Sequence, residues 1–535
     1  MSSTDEDDLS FRDISRREFL RRTAAAGLSA SAGGAFLAKG ASAESRLAAL
    51  GAAQPKRGGN LRVGMVGAGS GESFNPALSG ANMIGAARAY SIFDTLVRNT
   101  PNPALIAPGL AVEWSHNARA TAWQFRLRPD VTFHDGKPLT PEDVIYSLRF
   151  MGAPSNGAAP VVANISMKDL KKTGPSTVVV PLKSPDVLFP YNLTGCVNAI
   201  VQDGAKDFTH PIGTGGFRFV SLVTGQRSIC SRNPNYWDDG KPYVDTLEIV
   251  SIDDDSARLN ALLGGQIDVM AQLPFTQARS QQSGHQINVL STPSVVPYAF
   301  YVRTDVKPFN DIRVRQALKL IPDREALINI ALDGWGTVAN DLFGKGLPYY
   351  ASSIPQRHQD IDQAKALLRR AGYPNLRVTL NTSPVAAGFV EAATLFAQQA
   401  KQAGVRIDIK TNPANAYFDP SLLYTKQSFA QTEWNASTLS QFYNYALSAH
   451  PADNETHWHN PAFWKLLQEA ISATDASTAR SRWFEVQEIQ WNQGGYIMYA
   501  NIDIIDASSL NVIGITPSRI ANLGLPTGLI DASFK

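Results

Sequence analysis

An α/β chain folded as two lobes is what the sequence predicts, on three observations. A strand-like run, NLRVTLNT (Asn375–Thr382), leads into the amphipathic stretch AAGFVEAATLFAQQAKQAG (Ala386–Gly404) and then into a second strand, VRIDIKT (Val405–Thr411). Strand–helix–strand is the crossover that joins parallel neighbours in one sheet. The 535 residues exceed one ordinary domain and suit two or three, and a hydrophobic share of 44% can fill cores of that size. Strand and helix patterns occur in both halves, so neither an all-β nor an all-α body fits.

The chain opens with ISRREFLRRTAAAGLSASAGGAFLAKGASAE. Arg16 and Arg17 stand before Phe19-Leu20, a weakly apolar stretch runs from Ala24 to Ala38, and Ala41-Ser42-Ala43 offers the small residues of a cleavage site. The paired arginines mark residues 1–43 as a twin-arginine export signal, an address read by a receptor and not an anchor. The mature chain is expected to begin near Glu44 as a soluble protein of the periplasm. No later run reaches the roughly 18 apolar residues of a membrane span, so no stable membrane insertion is expected.

Leu61 to Val66 reads as the first strand. It feeds a loop with Gly64, Gly67, Gly69 and Gly71 that imitates a dinucleotide fingerprint. The third glycine comes one residue too soon, and Asn75-Pro76 makes a turn where the fingerprint needs a helix start to hold phosphate. Ser70 lacks the G-x-S-x-G of a nucleophile elbow. Helical spacing follows, with Ile84, Ala87, Tyr90, Ser91 and Leu96 on one face. Trp123, Phe125 and Leu127 alternate, Pro129-Asp130 turns, Val131 and Phe133 return, and Asp135-Gly136 turns again, which reads as a hairpin-like unit. Thr140 caps a helix that has Pro141 at its first position and Asp143 in its first turn. Ser176–Lys183 is another strand. Asp311 opens a helix to Ile321, Asp323 caps the next, and Gly372 with Pro374 stops a later one.

A formal net charge of +2 gives no electrostatic case for nucleic acid. Two cysteines, Cys196 and Cys230, are too few for a disulfide scaffold or a cysteine-rich metal site; one bridge between them suits an oxidising compartment, but their spacing decides nothing. His134-Asp135 reads as turn chemistry and not as a catalytic pair. His457 and His459 are two imidazoles where a metal needs three or four converging ligands. No metal site, cofactor or catalytic residue is therefore assigned.

Four stretches resemble the family 5 extracellular solute-binding proteins of ABC transporters, the oligopeptide, dipeptide and nickel receptors. They are Trp123–Leu148, Pro211–Trp237, Lys307–Ile328 and Asp360–Pro374, and the resemblance runs from about residue 58 to the end. It implies a two-lobed periplasmic-binding-protein fold of the class II type with an extra inserted subdomain. Lobe one would comprise 58–95, 210–295 and 500–535, the inserted subdomain 96–209, and lobe two 296–499. It also implies that the loop after the first strand lines the floor of a cleft, which brings in Phe74 and Asn75 as ligand contacts.

The family's ligand-contacting stretch matches Gln431–Tyr445. Peptide-binding relatives present an aspartate there to the peptide's ammonium group, whereas this chain reads Glu433-Trp434-Asn435-Ala436-Ser437, which leaves Glu433 as the candidate substitute. Trp434 and Tyr443 can supply flat apolar walls and Asn435 and Ser437 hydrogen bonds, the usual recipe of a small-molecule pocket. Tyr301 and Arg303 lie just past an expected crossover between lobes, where Arg303 would meet a ligand carboxylate. For each aromatic, plain core packing is the competing explanation.

The function expected is delivery of a peptide, opine or related small solute to an inner-membrane ABC permease by a monomeric, non-enzymatic receptor. The alternatives are an exported hydrolase, for which the chain shows no nucleophile, carboxylate pair or metal motif, and a metal or metallophore receptor.

Overall fold

The structure is a computed structural model that describes residues 55–69, 72–103, 105–413, 417–418, 426–447 and 454–535. The export segment 1–43, Ser70 and Gly71 lie outside the described residues. The main sheet is built from β1 (Asn60–Met65), β2 (Phe217–Val223), β3 (Arg227–Arg232), β4 (Thr246–Ser251), β5 (Val269–Met270), β6 (Ile287–Val302), β7 (Arg377–Thr382), β8 (Arg406–Thr411), β9 (Phe429–Glu433) and β10 (Tyr496–Ser509). Their spatial order is β8-β7-β9-β6-β10-β5-β1-β4-β3-β2, with the short strand Gly336–Val338 also paired to β10.

The predicted crossover is present. β7 and β8 pair in parallel from Arg377↔Arg406 to Thr382↔Thr411, and the helix Phe389–Gln402 connects them. β1 likewise lies parallel to both β4 and β5.

Two long antiparallel strands, β6 and β10, span the middle of the sheet and belong to both lobes. Their ladder runs from Ile287↔Ser509 to Tyr301↔Tyr496, and it slips between Pro293 and Pro297, opposite Asp503 and Asn501. Proline cannot donate to a ladder, so a bulge is where two of them fit inside a paired strand.

The lobes are joined unequally on the two faces of this ribbon. On one face a single apolar core is continuous, from Met270, Phe275 and Ala278 in lobe one through Ile502 and Ala500 to Phe300, Leu318 and Phe396 in lobe two. On the other face the cores are separate. Leu61, Val63, Leu247, Leu523 and Leu529 fill lobe one, while Tyr301, Phe343, Phe442 and Trp483 fill lobe two. A third separate core, around Trp123, Phe125, Val144 and Leu148, belongs to an inserted unit with its own four-stranded antiparallel sheet.

Local expectations hold where a cap or a periodic pattern decides the matter. The helix Pro141–Met151 starts as predicted, and Asp143 Oδ2 accepts from the backbone N–H and the hydroxyl of Thr140 at 2.8 and 2.7 Å. Asp311 and Asp323 cap the helices Ile312–Leu320 and Arg324–Ala331. The hairpin reading needs correction. The strand Ala122–Leu127 pairs with Ala111–His116 and Thr177–Pro181, and not with Val131 and Phe133, which fold into a tight Asp135-Gly136 turn and drop into the inserted unit's core. The helix Met83–Ile92 also ends before Leu96, because Phe93 turns extended and Leu96 is drawn into that same core. Cys196 and Cys230 are both free thiols.

Candidate functional site

In open α/β sheets ligands bind beyond the carboxyl ends of parallel strands. Registers place those ends here. β5 runs antiparallel to β10, from Val269↔Ser508 towards lower β10 numbers, and β1 and β4 follow β5. β9 runs antiparallel to β6, from Phe429↔Val302 to Glu433↔Tyr298, and β7 follows β9. The parallel strands of both lobes therefore point their carboxyl ends at the same place, the bulged middle of the β6–β10 ribbon at Pro293–Pro297 and Asn501–Asp503.

The loop after β9 reaches this place. Trp434 is half-buried against the lobe-two core and its Nε1 donates to Glu455 Oε1 at 2.8 Å. Glu455 also accepts from the Thr432 hydroxyl, and burial pushes its carboxyl up to about 7. Asn435 Nδ2 donates to the carbonyl of Ile520 at 2.5 Å, tying the loop to the C-terminal segment. Ser437 is buried, and its N–H donates to Gln441 Oε1 at 2.8 Å. Gln441 Nε2 in turn donates to the carbonyl of Tyr191 in the inserted unit at 3.4 Å. Inserted unit, lobe two and C-terminal segment thus meet around one loop.

Glu433 ends β9 on the strand face opposite Trp434. Its carboxylate makes no hydrogen bond among the described residues, and burial raises it to about 7. Tyr443 is 0% exposed, and its hydroxyl bonds Gln490 within the lobe-two core, so core packing accounts for it. Tyr301 is equally buried there. Arg303 lies past the far end of β6, about 20 Å from Pro297 at ordinary strand rise, and pairs with Asp305 at 2.7 Å. Its neutralised position is away from the crossing, contrary to the expected meeting with a ligand there.

Phe74 and Asn75 lie in the stretch between β1 and the helix Met83–Ile92. With Ser73, Phe208, Phe219 and His210 they line an open cavity of about 650 Å³. Phe74 and Phe219 pack edge to face at 5.2 Å. Asn75 Oδ1 accepts from Ala77 N–H at 2.9 Å and caps the turn that follows. Glu72 is spoken for by Arg88 and the N–H of Gly225. None of the hydrogen bonds among the described residues links this cavity to the Glu433–Ser437 stretch.

His134 has a structural part, as read. Its backbone N–H donates to Gly213 O at 2.9 Å, its ring bonds Gly215 O at 3.0 Å, and burial lowers its pKa to about 4.

Three residues at the crossing escaped the sequence reading. Asn501 is 1% exposed with neither amide atom hydrogen-bonded, Asp503 keeps a buried, unbonded Oδ1, and Arg519 donates its Nε to the carbonyl of Pro293 at 3.1 Å. A carboxylate in the apolar run IMYANIDII was the available signal, since aspartate in a buried strand needs a reason.

The sequence profile of the bacterial extracellular solute-binding proteins, family 5 (middle region), matches residues 106–456. The chain belongs to that family. Among curated proteins it is similar to the glutathione-binding protein GsiB of Pectobacterium atrosepticum, 25% identical over 422 residues that cover 76% of this chain and 82% of that one. It is also similar to heme-binding protein A of Haemophilus influenzae, at 24% identity with 80% and 85% covered. Among solved structures, the periplasmic binding protein AgaA of A. tumefaciens in complex with agropinic acid superimposes with a TM-score of 0.78 at 21% identity, covering 89% of this chain and 99% of that one. DppA of Helicobacter pylori in complex with the peptide STSA gives 0.77 at 22%, with 90% and 98% covered. At these identities the structural matches establish the fold, a two-lobed periplasmic-binding-protein fold. As a family 5 member the chain is a solute-binding protein. No described helix is long and apolar enough to cross a membrane.

Proposed function

We propose that this solute-binding protein takes up a peptide or peptide-like small solute between its lobes in the periplasm and hands it to an inner-membrane ABC permease, without chemical turnover. The observation that carries this reading is the convergence of both lobes' strand ends on the bulged β6–β10 ribbon, where a tryptophan, amides and unpaired polar side chains gather. That is the composition of a small-molecule site, apolar walls with a few placed polar groups. The relatives' ligands by name, glutathione, heme, agropinic acid and a peptide, span peptide-like compounds and one large exception. Trp434, Asn435 and Ser437 are the contacts this reading favours, with Glu433 behind them and Phe74 and Asn75 on the lobe-one side.

On the same reading the lobes divide at about 95, 210, 295 and 500, residues 1–43 are removed on export, and the receptor works as a monomer. Native mass spectrometry of gently purified protein tests the function directly. A co-purified peptide-like compound in one-to-one ratio is the expected result; a metal chelate in its place would support the metallophore alternative, and turnover of an added ester or amide would overturn the non-enzymatic reading.

A further inference from the structure

Two opposite charges flank Pro293 at the crossing, and neither has an ionic partner among the described residues. Asp503 is the ladder partner of Pro293 on β10. Asn501, the ladder partner of Pro297, stands two residues before it on the same strand. Its Oδ1 is buried without a hydrogen bond, and both amide atoms of the fully buried Asn501 are equally unsatisfied.

Arg519 approaches the same proline from the C-terminal segment. Its Nε donates to Pro293 O, and its own carbonyl accepts from Val295 N–H at 3.1 Å. The guanidinium rests on Gly346 of lobe two, so closely that a Cβ there would meet Nη2 at 2.7 Å. Gly346 also has φ +90°, so glycine is needed twice over. The next residue, Ile520, receives the Asn435 side chain from the loop after β9. Arg519 is thus fixed at the meeting of both lobes.

A charge held out of water without a partner is costly, and so is a buried amide left without a hydrogen bond. Burial acts on both charges in the direction this implies, raising the Asp503 carboxyl to about 6 and lowering Arg519, with no charged neighbour offsetting either. The two do not pair with each other, although both adjoin one residue. A solute with two charged ends can satisfy both.

We propose that Asp503 and Arg519 receive the cationic and anionic ends of a zwitterionic solute, with the Asn501 amide adding a neutral hydrogen bond between them. The proposal rests on the solute-binding reading above and assigns its charge recognition to the hinge ribbon and C-terminal segment. The loop after β9, which lacks the aspartate of peptide-binding relatives, then serves as wall and not as charge anchor.

The test uses the mature protein and a panel of free dipeptides, their N-acetylated and C-amidated forms, and uncharged sugars, read by thermal shift and calorimetry. Free dipeptides should bind, and blocking either end should weaken binding about tenfold or more. D503N should lose discrimination against the N-acetylated form only, and R519Q against the C-amidated form only. Equal binding of free and blocked dipeptides, or unchanged affinity in both variants, overturns the charge assignment and leaves solute binding intact. Binding of sugars alone does the same. If no panel member binds, both the assignment and the peptide-like reading fail. D503N is isosteric, and R519Q shortens the side chain as it removes the charge; should one variant unfold, the other still tests its own end of the solute.

Discussion

The indole N–H of Trp434 donates to Oε1 of Glu455, 21 residues on, at 2.8 Å, so the proposed cleft wall is pinned by a carboxyl that is 0% exposed. Ring face and N–H then have separable parts. Trp434→Ala is expected to weaken solute binding roughly five- to hundredfold, the worth of a lost aromatic wall. Trp434→Phe keeps the wall and should bind near normally, but leaves Glu455 short of a donor, at about 1–3 kcal/mol of stability. Calorimetry and melting curves on both variants check this. Unchanged affinity in Trp434→Ala with a large fall in melting temperature would assign the ring to the core.

The Glu455 carboxyl also makes stability depend on pH in a stated direction. Burial raises it from 4.5 to about 7 in the folded protein. The unfolded chain therefore releases this proton first, and the group's contribution is intact below about 4.5 and is lost as the pH rises towards 7. Wild type should lose roughly 3 kcal/mol relative to Glu455→Gln across that window. Urea unfolding of both proteins at several pH values measures it; parallel profiles would refute it.

Asp341 binds two guanidinium groups deep in lobe two, Arg324 at 2.9 Å and Arg357 at 2.8 Å, and is itself 0% exposed. Lys319 lies close enough to help hold its carboxyl low. Removing the one anion leaves buried cations unopposed. Asp341→Ala should cost about 3–5 kcal/mol, seen as a lower denaturation midpoint, whereas an exposed-pair variant such as Asp408→Ala should move the midpoint far less.

Periplasmic binding proteins are standing examples of hinge closure, so compaction on binding is the expected outcome here. The hinge is expected at the bulge between Pro293 and Pro297. Small-angle scattering should show a smaller radius of gyration at saturating solute, and identical curves would count against a moving hinge.

Export is tested at Arg16 and Arg17. Replacing both with lysine should leave precursor in the cytoplasm, because the twin-arginine address is read as arginine pairs. Normal periplasmic yield from that variant would remove the assignment.

The sequence was legible where a pattern is local. The crossover at Asn375–Thr411 and the Thr140, Asp311 and Asp323 caps depend on residues a few positions apart, and they appear as read. The hairpin reading at Trp123–Phe133 failed because strand pairing is decided at long range: the true partner Thr177–Pro181 lies some fifty positions away, and apolar alternation cannot choose between partners. Arg303 illustrates the same limit. It follows a crossover strand in sequence, but β6 is 16 residues long, and the crossing lies near its middle and not its end. Asp503 and Arg519 were missed because their meaning depends on sharing Pro293 as a neighbour, which only the β6–β10 register and the C-terminal segment create.

The first and last described stretches of the chain meet. Lys56 N–H donates to Phe534 O at 3.1 Å, and Leu523, Leu525, Leu529 and Ile530 pack into the same core as Leu61 and Val63 of β1. Lobe one consequently lacks part of its interior until the segment 523–530 has left the ribosome. β1 must wait for that distant segment, so this lobe cannot complete its core until more than 450 later residues have been made. Joining these adjacent stretches while opening a surface loop elsewhere should give a circular permutant that still folds.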